Sequence, residues 1–154
     1  MIILKYRLAT KDDRVSIVHL LTEMHEESGM GSLNLNKVLH TIELCLANGV
    51  ILLIEMNKEI VAVMGLRTSA LWWTDDKVLM DQFTYVHPRA RKTRAIFRLV
   101  KEAKKLSSEM KIPLMIANFG YINEERISKM YRRFGKSLGT TIILGDTSSF
   151  LWKR

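Results

Sequence analysis

The feature that most constrains the fold is a strand, a helix and a second strand that follow one another in the middle of the sequence. Residues 77–86 predict a long strand, which ends at His87-Pro88. Over residues 93–106, apolar side chains recur at the spacing of an amphipathic helix. Residues 112–119 are an apolar run bounded by turn signals, which is typical of a buried strand. Because a helical crossover joins strands that run in the same direction, these two strands are predicted to pair in parallel.

The remaining segments predict a sheet that is otherwise antiparallel. Five further strands are predicted by apolar runs between turn signals: residues 6–8, 50–55, 60–67, 138–144 and 149–152. Three further helices are predicted by helical spacing: one that ends near Glu27 after a capping box from Thr10 to Asp13, one capped by Asn34 or Asn36, and residues 124–134. The predicted fold is α/β (α+β), with a mixed, mostly antiparallel sheet of about seven strands flanked by four helices.

Composition predicts that this fold is a single globular domain. The chain has 154 residues, of which 47% are hydrophobic and 26% charged, so we expect one domain over residues 1–154. The longest aliphatic run, residues 50–54, is too short to span a membrane, and Lys5 and Arg7 interrupt the apolar start. One cysteine, Cys45, and four histidines without ligand spacing predict no disulfide and no metal site. We therefore expect a cytoplasmic domain without a membrane partner.

Charge is distributed unevenly along the chain. The net charge is +8, but residues 1–77 carry −2 and residues 78–154 carry +10. Such an asymmetry indicates an anionic partner for the second half, either nucleic acid, a membrane surface or a phosphorylated ligand. The alternative is a helix face that is simply solvated, which is the more common explanation of a charge run.

The junction between the central strand and the following helix favours an anion-binding site. Four cations, Arg89, Arg91, Lys92 and Arg94, lie within six residues just before the helix. The first turn of a helix leaves backbone N–H groups unpaired and carries partial positive charge, so it binds phosphate well. Thr93 either caps the helix or donates a hydrogen bond to a phosphate oxygen.

The sequence resembles the GCN5-related N-acetyltransferases (GNAT) in the order of its elements and in three motifs. These are Tyr85-Val86-His87-Pro88-x-x-Arg91, Tyr131-x-x-Phe134-Gly135 and Tyr6-Arg7-Leu8-Ala9-Thr10-x-x-Asp13. They are similar to the family's fourth strand with its acetyl-CoA loop, to its tyrosine-containing last helix, and to its first strand with the following helix cap. The loop departs from the family pattern because no glycine occurs between Gly65 and Gly120.

The resemblance implies an acetyl-CoA site with named residues. The backbone of Phe83, Tyr85 and Val86 would pair with the pantetheine arm as an additional strand. The N–H groups of Arg91, Lys92, Thr93, Arg94 and Ala95 would hold the pyrophosphate. Because the loop has no glycine, the arginine and lysine side chains and Thr93 would also contact the phosphates. Asn118 and Asn123 would either donate hydrogen bonds to the pantetheine amide or cap the next helix.

Two residues are candidates for catalysis. The resemblance implies that Tyr131 protonates the departing thiolate of coenzyme A, whereas without the resemblance it would be taken as a core tyrosine. Asp81 precedes the site on the central strand and is a candidate base, directly or through water. Strand alternation predicts that it shares a face with Phe83 and Tyr85. The alternative for Asp81 is a solvated or salt-bridged strand residue.

The resemblance implies an acetyl-CoA-dependent N-acyltransferase that transfers the acetyl group directly to an amine on a small molecule or a protein. The acceptor would lie between residues 26–34 and 145–149, where the acidic residues 23–27 favour a cationic acceptor. Trp72 and Trp73 either shape a substrate pocket or cover the sheet edge. The free edges of such a sheet also allow a homodimer.

A second hypothesis is a non-catalytic protein of the same fold that binds nucleic acid or another partner. Its interface would be the basic stripe at helical spacing on the central helix, formed by Arg94, Arg98, Lys101 and Lys105. No aromatic residues are interleaved with this stripe, which makes it the weaker hypothesis.

Overall fold

The computed structural model describes residues 2–117, 124–137 and Leu144, and these residues form five strands and four helices. Strands β1 to β5 span Leu4–Leu8, Gly49–Met56, Glu59–Ala70, Lys77–Val86 and Leu114–Met115. Helices α1 to α4 span Arg14–Ser28, Leu35–Asn48, Ala95–Met110 and Glu124–Arg132. The sheet order is β1-β2-β3-β4-β5, and only the β4–β5 pair is parallel among these strands. The predicted α+β class and the parallel pair are confirmed.

The described part of the chain has five strands where seven are predicted. The predicted strands at residues 138–144 and 149–152 lie outside the described residues, except for Leu144, which is exposed. Strand β5 is also shorter than the predicted residues 112–119. Pro113 has no N–H to donate to a neighbouring strand, and the amide of Ala117 donates to the Asp81 side chain at 2.9 Å instead.

The predicted capping box is present at the start of helix α1, and the same residues tie that start to the first two strands. The side chain of Thr10 accepts a hydrogen bond from the Asp12 amide at 3.3 Å, and Asp13 accepts one from the Thr10 amide at 2.8 Å. Arg7 donates to Asp13 at 2.7 and 2.8 Å and to Glu55 at 2.9 Å, and this guanidinium lowers the pKa of Asp13. These bonds fix the start of α1, whose other end reaches β4.

The sheet lies between two apolar layers. One layer, with α3, contains Leu52, Met64, Leu79 and Leu99, and Tyr131 of α4 packs against it. The other, with α1 and α2, contains a comparable set: Ile17, Ile42, Leu53, Val63, Phe83 and Tyr85. Because β2 and β3 contribute buried side chains to both faces, these strands are nearly continuous apolar runs rather than alternating ones. The sheet therefore separates an α3/α4 layer from an α1/α2 layer.

A β-bulge in β4 corrects one prediction. Gly65 pairs with Phe83 and Leu66 pairs with Asp81, so Gln82 is left without a partner on β3. The extra residue reverses the alternation, and Leu79 and Asp81 face the α3/α4 layer while Phe83 faces the α1/α2 layer. The prediction that Asp81 shares a face with Phe83 and Tyr85 is therefore wrong.

Gly65 is required opposite the bulge, and we expect Gly65→Ala to lower the free energy of unfolding by about 1–3 kcal/mol. A Cβ atom at this position would lie 2.3 Å from Cζ of the Phe83 ring. That ring is itself buried and has little room to move away. Urea unfolding measures the difference. Gly135→Ala is the control, because a Cβ there would meet nothing within 4 Å, and equal stability of the two variants would contradict the close contact.

Candidate functional site

Strand β4 has a free edge on the side of β5 once their short ladder ends. Among the described residues, the pairs of this ladder are Leu79 with Leu114 and Met80 with Met115. The next contact uses a side chain, because the Ala117 amide donates to the Asp81 carboxylate. Beyond this point, no strand within residues 2–117 or 124–137 pairs with this edge of β4. The two parallel strands therefore separate at the bulge and leave a gap.

The backbone of Thr84 and Val86 faces this gap. The amide of His87 donates to the Val61 carbonyl at 2.8 Å, so strand alternation directs the backbone of Tyr85 and Phe83 to β3 as well. Of the three residues predicted to pair with pantetheine, only Val86 has its N–H and C=O on the gap side. Thr84 was missed in the sequence, since the register after the bulge decides which residues face the gap.

Arg91 is placed on the α1/α2 side rather than beside the other loop cations. Its Nε donates to the Val86 carbonyl at 3.0 Å, and its Nη2 donates to Glu27 of α1 at 2.7 Å. Glu27 also accepts from the Tyr85 hydroxyl at 2.9 Å, and the guanidinium lies 5.7 Å from the centre of the Tyr85 ring. Arg91 thus connects the edge of β4 to the end of α1.

The loop before α3 offers free amides, although not at every predicted residue. Helix α3 begins at Ala95, later than predicted, because Pro88–Ala90 forms a 3-10 turn first. The amides of Arg91, Thr93 and Ala95 donate within the loop, to Pro88 O, Ala90 O and Thr93 Oγ1 at 3.0–3.2 Å. The N-cap residue of α3 is Arg94, which makes no side-chain cap hydrogen bond, and the Thr93 hydroxyl instead donates to the Ala90 carbonyl and accepts from the Ala95 amide. In the described part of the chain, four amides in this region have no acceptor: Lys92, Arg94, Ile96 and Phe97.

The bulge brings Asp81 and Tyr131 to the same face. Burial raises the pKa of Asp81 to about 6, although the hydrogen bond from the Ala117 amide partly offsets this effect. Burial also raises the pKa of Tyr131, and the charge of Asp81 raises it further. The Tyr131 hydroxyl therefore keeps its proton at neutral pH, whereas the Asp81 carboxyl gains or loses its proton slightly below neutral pH.

Thr84 has a polar atom that the described residues leave unsatisfied. Its Oγ1 is buried and makes no hydrogen bond with any described residue. Buried hydroxyls are almost always hydrogen-bonded in folded proteins, so this atom is suited to a ligand that lies along the gap. The other two predicted site residues, Asn118 and Asn123, lie outside the described residues.

The charges predicted for an acceptor and for a nucleic-acid interface are already partly paired. On α1, Glu27 pairs with Arg91, and Glu23 lies 3.4 Å from His19 and 3.6 Å from His87. On the basic stripe, Arg98 pairs with Glu102 at 2.9 Å. Trp72 and Trp73 pack edge to face and are 92% and 63% exposed, so they do not cover the sheet edge.

Within the described residues, no three histidine, cysteine, aspartate or glutamate side chains come together as metal ligands would. No helix in the same residues has the length and apolar character needed to cross a membrane.

Neither a family model nor a curated protein matches this sequence, but solved structures match it over nearly its whole length. A predicted acetyltransferase from Clostridium acetobutylicum, solved with acetyl-CoA, has a TM-score of 0.74 at 14% identity, covering 94% of this chain and 97% of that one. For a ribosomal-protein-alanine N-acetyltransferase from Brucella melitensis, the TM-score is 0.71 at 12% identity, with coverages of 94% and 99%. For a GNAT family acetyltransferase from Staphylococcus aureus, it is 0.62 at 15% identity, with coverages of 93% and 98%.

At these identities the matches establish the architecture and nothing finer. They agree with the antiparallel β1–β4 sheet, the parallel β4–β5 pair and the four helices. The chain therefore has the fold of the GCN5-related N-acetyltransferases.

Proposed function

We propose that the protein is an acetyl-CoA-dependent N-acetyltransferase that passes the acetyl group directly to an amine. The observation that carries this proposal is a free edge of β4 that leads into the unpaired amides at the start of α3. An extended chain that ends in a diphosphate fits this arrangement, because it needs backbone partners along its length and N–H donors at its end. We further propose that the chain acts as one domain in the cytoplasm.

The gap has groups suited to each part of the coenzyme. The N–H and C=O of Thr84 and the N–H of Val86 are available to the pantetheine arm, the Val86 carbonyl already accepts from Arg91, and the unsatisfied Thr84 hydroxyl lies beside them. The amides of Lys92, Arg94, Ile96 and Phe97 are available to the pyrophosphate, and the Lys92 and Arg94 side chains are exposed beside them. This division replaces the predicted use of every amide from Arg91 to Ala95.

The chemistry of the proposed reaction requires a base and an acid in the gap. Acetyl-CoA, when bound, supplies an acetyl thioester. The Asp81 carboxylate accepts the proton that the attacking amine loses, directly or through water. The Tyr131 hydroxyl donates its proton to the departing thiolate sulfur. The raised pKa of Tyr131 keeps that proton available, and the pKa of Asp81 near 6 leaves the carboxylate ionised at neutral pH.

The names of the similar structures support acyl transfer to an amine. One of them was solved with acetyl-CoA, and another is named for transfer to an alanine of a ribosomal protein. The acceptor of this chain is therefore proposed to be an amine of a small molecule or a protein.

Binding of coenzyme A tests the proposal. We expect acetyl-CoA and coenzyme A to raise the Tm, and adenosine 3′,5′-bisphosphate to raise it less, because the bisphosphate lacks both the arm that would pair with β4 and one phosphate of the diphosphate. The double variant Lys92→Glu with Arg94→Glu should weaken acetyl-CoA binding by about tenfold or more in isothermal titration calorimetry.

The matched control reverses two charges on the same helix away from its start. The double variant Lys101→Glu with Lys105→Glu should leave acetyl-CoA affinity within about twofold, because phosphate attraction at α3 depends on the first turn. If both double variants lose affinity equally, the site at the start of α3 is contradicted. If the wild type binds DNA with a steep salt dependence that the control variant loses, and does not bind coenzyme A, the nucleic-acid hypothesis replaces this one.

A further inference from the structure

A second cavity lies at the end of the sheet away from the start of α3. It has a volume of about 460 Å³ and is bordered by the end of α2, the end of β3 and the start of β4. Its polar lining residues include both charged and neutral hydrogen-bonding groups: Asn48, Arg67, Thr68, Ser69, Asp75 and Lys77. None of these residues has a place in the reaction described above.

Arg67 is the unusual residue of this cavity. Its Nε is buried and has no hydrogen-bond partner, and its guanidinium forms no ion pair with any described residue. Arg67 is half-buried, and a buried N–H donor such as its Nε is normally hydrogen-bonded, because an unsatisfied donor is costly to desolvate. Its charge acts on Cys45 of α2, where it partly offsets the burial that raises the pKa of the thiol to about 11. Arg67 therefore lies on the side of the α1/α2 layer, and its Nε has no hydrogen-bond acceptor among the described residues.

The charge available around this cavity is positive. Arg67 and Lys77 are both without an ion pair among the described residues, and Asp75 is the single acidic residue of the lining. On α1, Glu27 forms an ion pair with Arg91. One of the acids that predict a cationic acceptor is therefore already paired with a cation, whereas Arg67 and Lys77 have no acidic partner among the described residues.

The cavity is close to the proposed reaction centre. Arg67 pairs with Met80 across β3 and β4, and the adjacent Leu66 pairs with Asp81 at the bulge. Met80 is itself paired with Met115 of β5, and the edge of β4 is free only from the adjacent bulge onwards. Arg67 lies on the α1/α2 face of the sheet, whereas Asp81 and Tyr131 lie on the α3/α4 face. An acceptor that contacts Arg67 therefore lies over the α1/α2 face of β4, and its amine enters the gap from that side.

We propose that this cavity binds an oxyanion of the acceptor, a carboxylate or a phosphate, and that Arg67 is its principal ligand. Lys77 adds positive charge, and the Asn48 amide and the Thr68 and Ser69 hydroxyls supply further donors. The proposal rests on the proposed function insofar as it names the acceptor, which then carries both an amine and an anionic group. It replaces the cationic acceptor that the acidic residues of α1 predict.

The first test measures binding without any reaction. Inorganic phosphate, succinate and 6-aminohexanoate are titrated by thermal shift against the wild type and Arg67→Gln. We expect at least one of them to raise the Tm of the wild type, and Arg67→Gln to weaken that ligand by about 10- to 100-fold, the range for hydrogen bonds to a charged group. The difference between the two proteins reports on Arg67, because the amides at the start of α3 are the same in both.

The second test measures acetyl transfer to matched pairs of acceptors. The pairs are 6-aminohexanoate with its amide, lysine with lysinamide, and phosphoethanolamine with ethanolamine. If the carboxylate acceptors have a higher kcat/KM than phosphoethanolamine, the site is assigned to a carboxylate. If phosphoethanolamine has the higher kcat/KM, the site is assigned to a phosphate. The anionic member should have the higher kcat/KM in the wild type. In Arg67→Gln the kcat/KM of the anionic acceptor should fall about tenfold or more, mainly because KM rises, while acetyl-CoA affinity stays the same.

Controls keep the outcomes separate. Arg67→Lys should restore part of the preference because it retains the charge, and Lys101→Gln should change nothing. Removing an unpaired guanidinium should not lower the Tm, so a misfolded variant is not expected. Equal responses of wild type and Arg67→Gln to every anion would overturn the oxyanion site, even if acetyl-CoA binds. An anion response that depends on Arg67 in a protein that does not bind acetyl-CoA would overturn the proposed function alone.

Discussion

Tyr131→Phe is expected to lower kcat for acetyl transfer by about 100-fold or more while acetyl-CoA affinity stays the same, because general acid catalysis typically contributes this much. The substitution removes one oxygen and keeps the ring that packs in the α3/α4 layer. Without the hydroxyl, the departing thiolate has no proton donor from this side chain. Stopped-flow or steady-state kinetics with a saturating acceptor, together with calorimetry for acetyl-CoA, separate the two quantities.

Tyr6→Phe is the matched control for this substitution. Tyr6 also packs against the α3/α4 layer and also has a raised pKa through burial, but its neighbours are Arg98 and Glu102 rather than Asp81. Loss of the Tyr6 hydroxyl should leave kcat within about twofold of the wild-type value. Equal turnover in wild type and Tyr131→Phe would remove Tyr131 from the mechanism, and a loss shared by Tyr6→Phe would indicate damage to the layer instead.

Asp81→Asn is expected to have opposite effects on activity and stability. As a base, Asp81 must be ionised, so kcat/KM of the wild type should rise as the pH rises through about 6 and then lose this dependence. Asparagine cannot accept the proton, and we expect it to reduce kcat/KM at pH 8 by about 10- to 100-fold and to remove the limb near pH 6. A full pH–rate profile of both proteins measures this.

The stability effect follows from the same pKa. The folded protein holds the pKa of Asp81 near 6, above its ordinary value of 3.8, so the folded state binds the proton more tightly than the unfolded state does. Stability is therefore lost as the pH rises from about 4 to 6, by about 3 kcal/mol in total. Asp81→Asn removes that loss and can still accept from the Ala117 amide, so urea unfolding at pH 7 should show a gain. A variant that is less stable than the wild type at pH 7 would contradict the buried carboxylate.

The elements of this fold are predictable from the sequence where a local pattern determines them. Thr10 and Asp13 form the capping box before α1, Asn34 caps α2, and the predicted strand at residues 77–86 matches β4 at both ends. These features are predictable because caps and apolar periodicity act within a few residues. The parallel β4–β5 pair followed from the helix between them.

The parts that sequence reasoning missed depend on contacts between distant residues. The bulge lies where the Phe83 ring packs against Gly65, and it places Asp81 on the other face and directs the backbone of Thr84, instead of Tyr85, to the gap. Arg91 appeared as a loop cation among others until its partner Glu27, 64 residues away, was known. Arg67 gave no signal, since an arginine near the end of a strand is ordinarily solvated.

Arg91 links two parts of the proposed site, because one guanidinium donates to both the Val86 carbonyl and Glu27. A coenzyme that pairs with Val86 would share that oxygen with Arg91, and a shift of the guanidinium would change its contact with the end of α1. Binding of the proposed coenzyme at β4 and binding of an acceptor beside Glu27 would then be thermodynamically coupled, with the same coupling free energy in both directions.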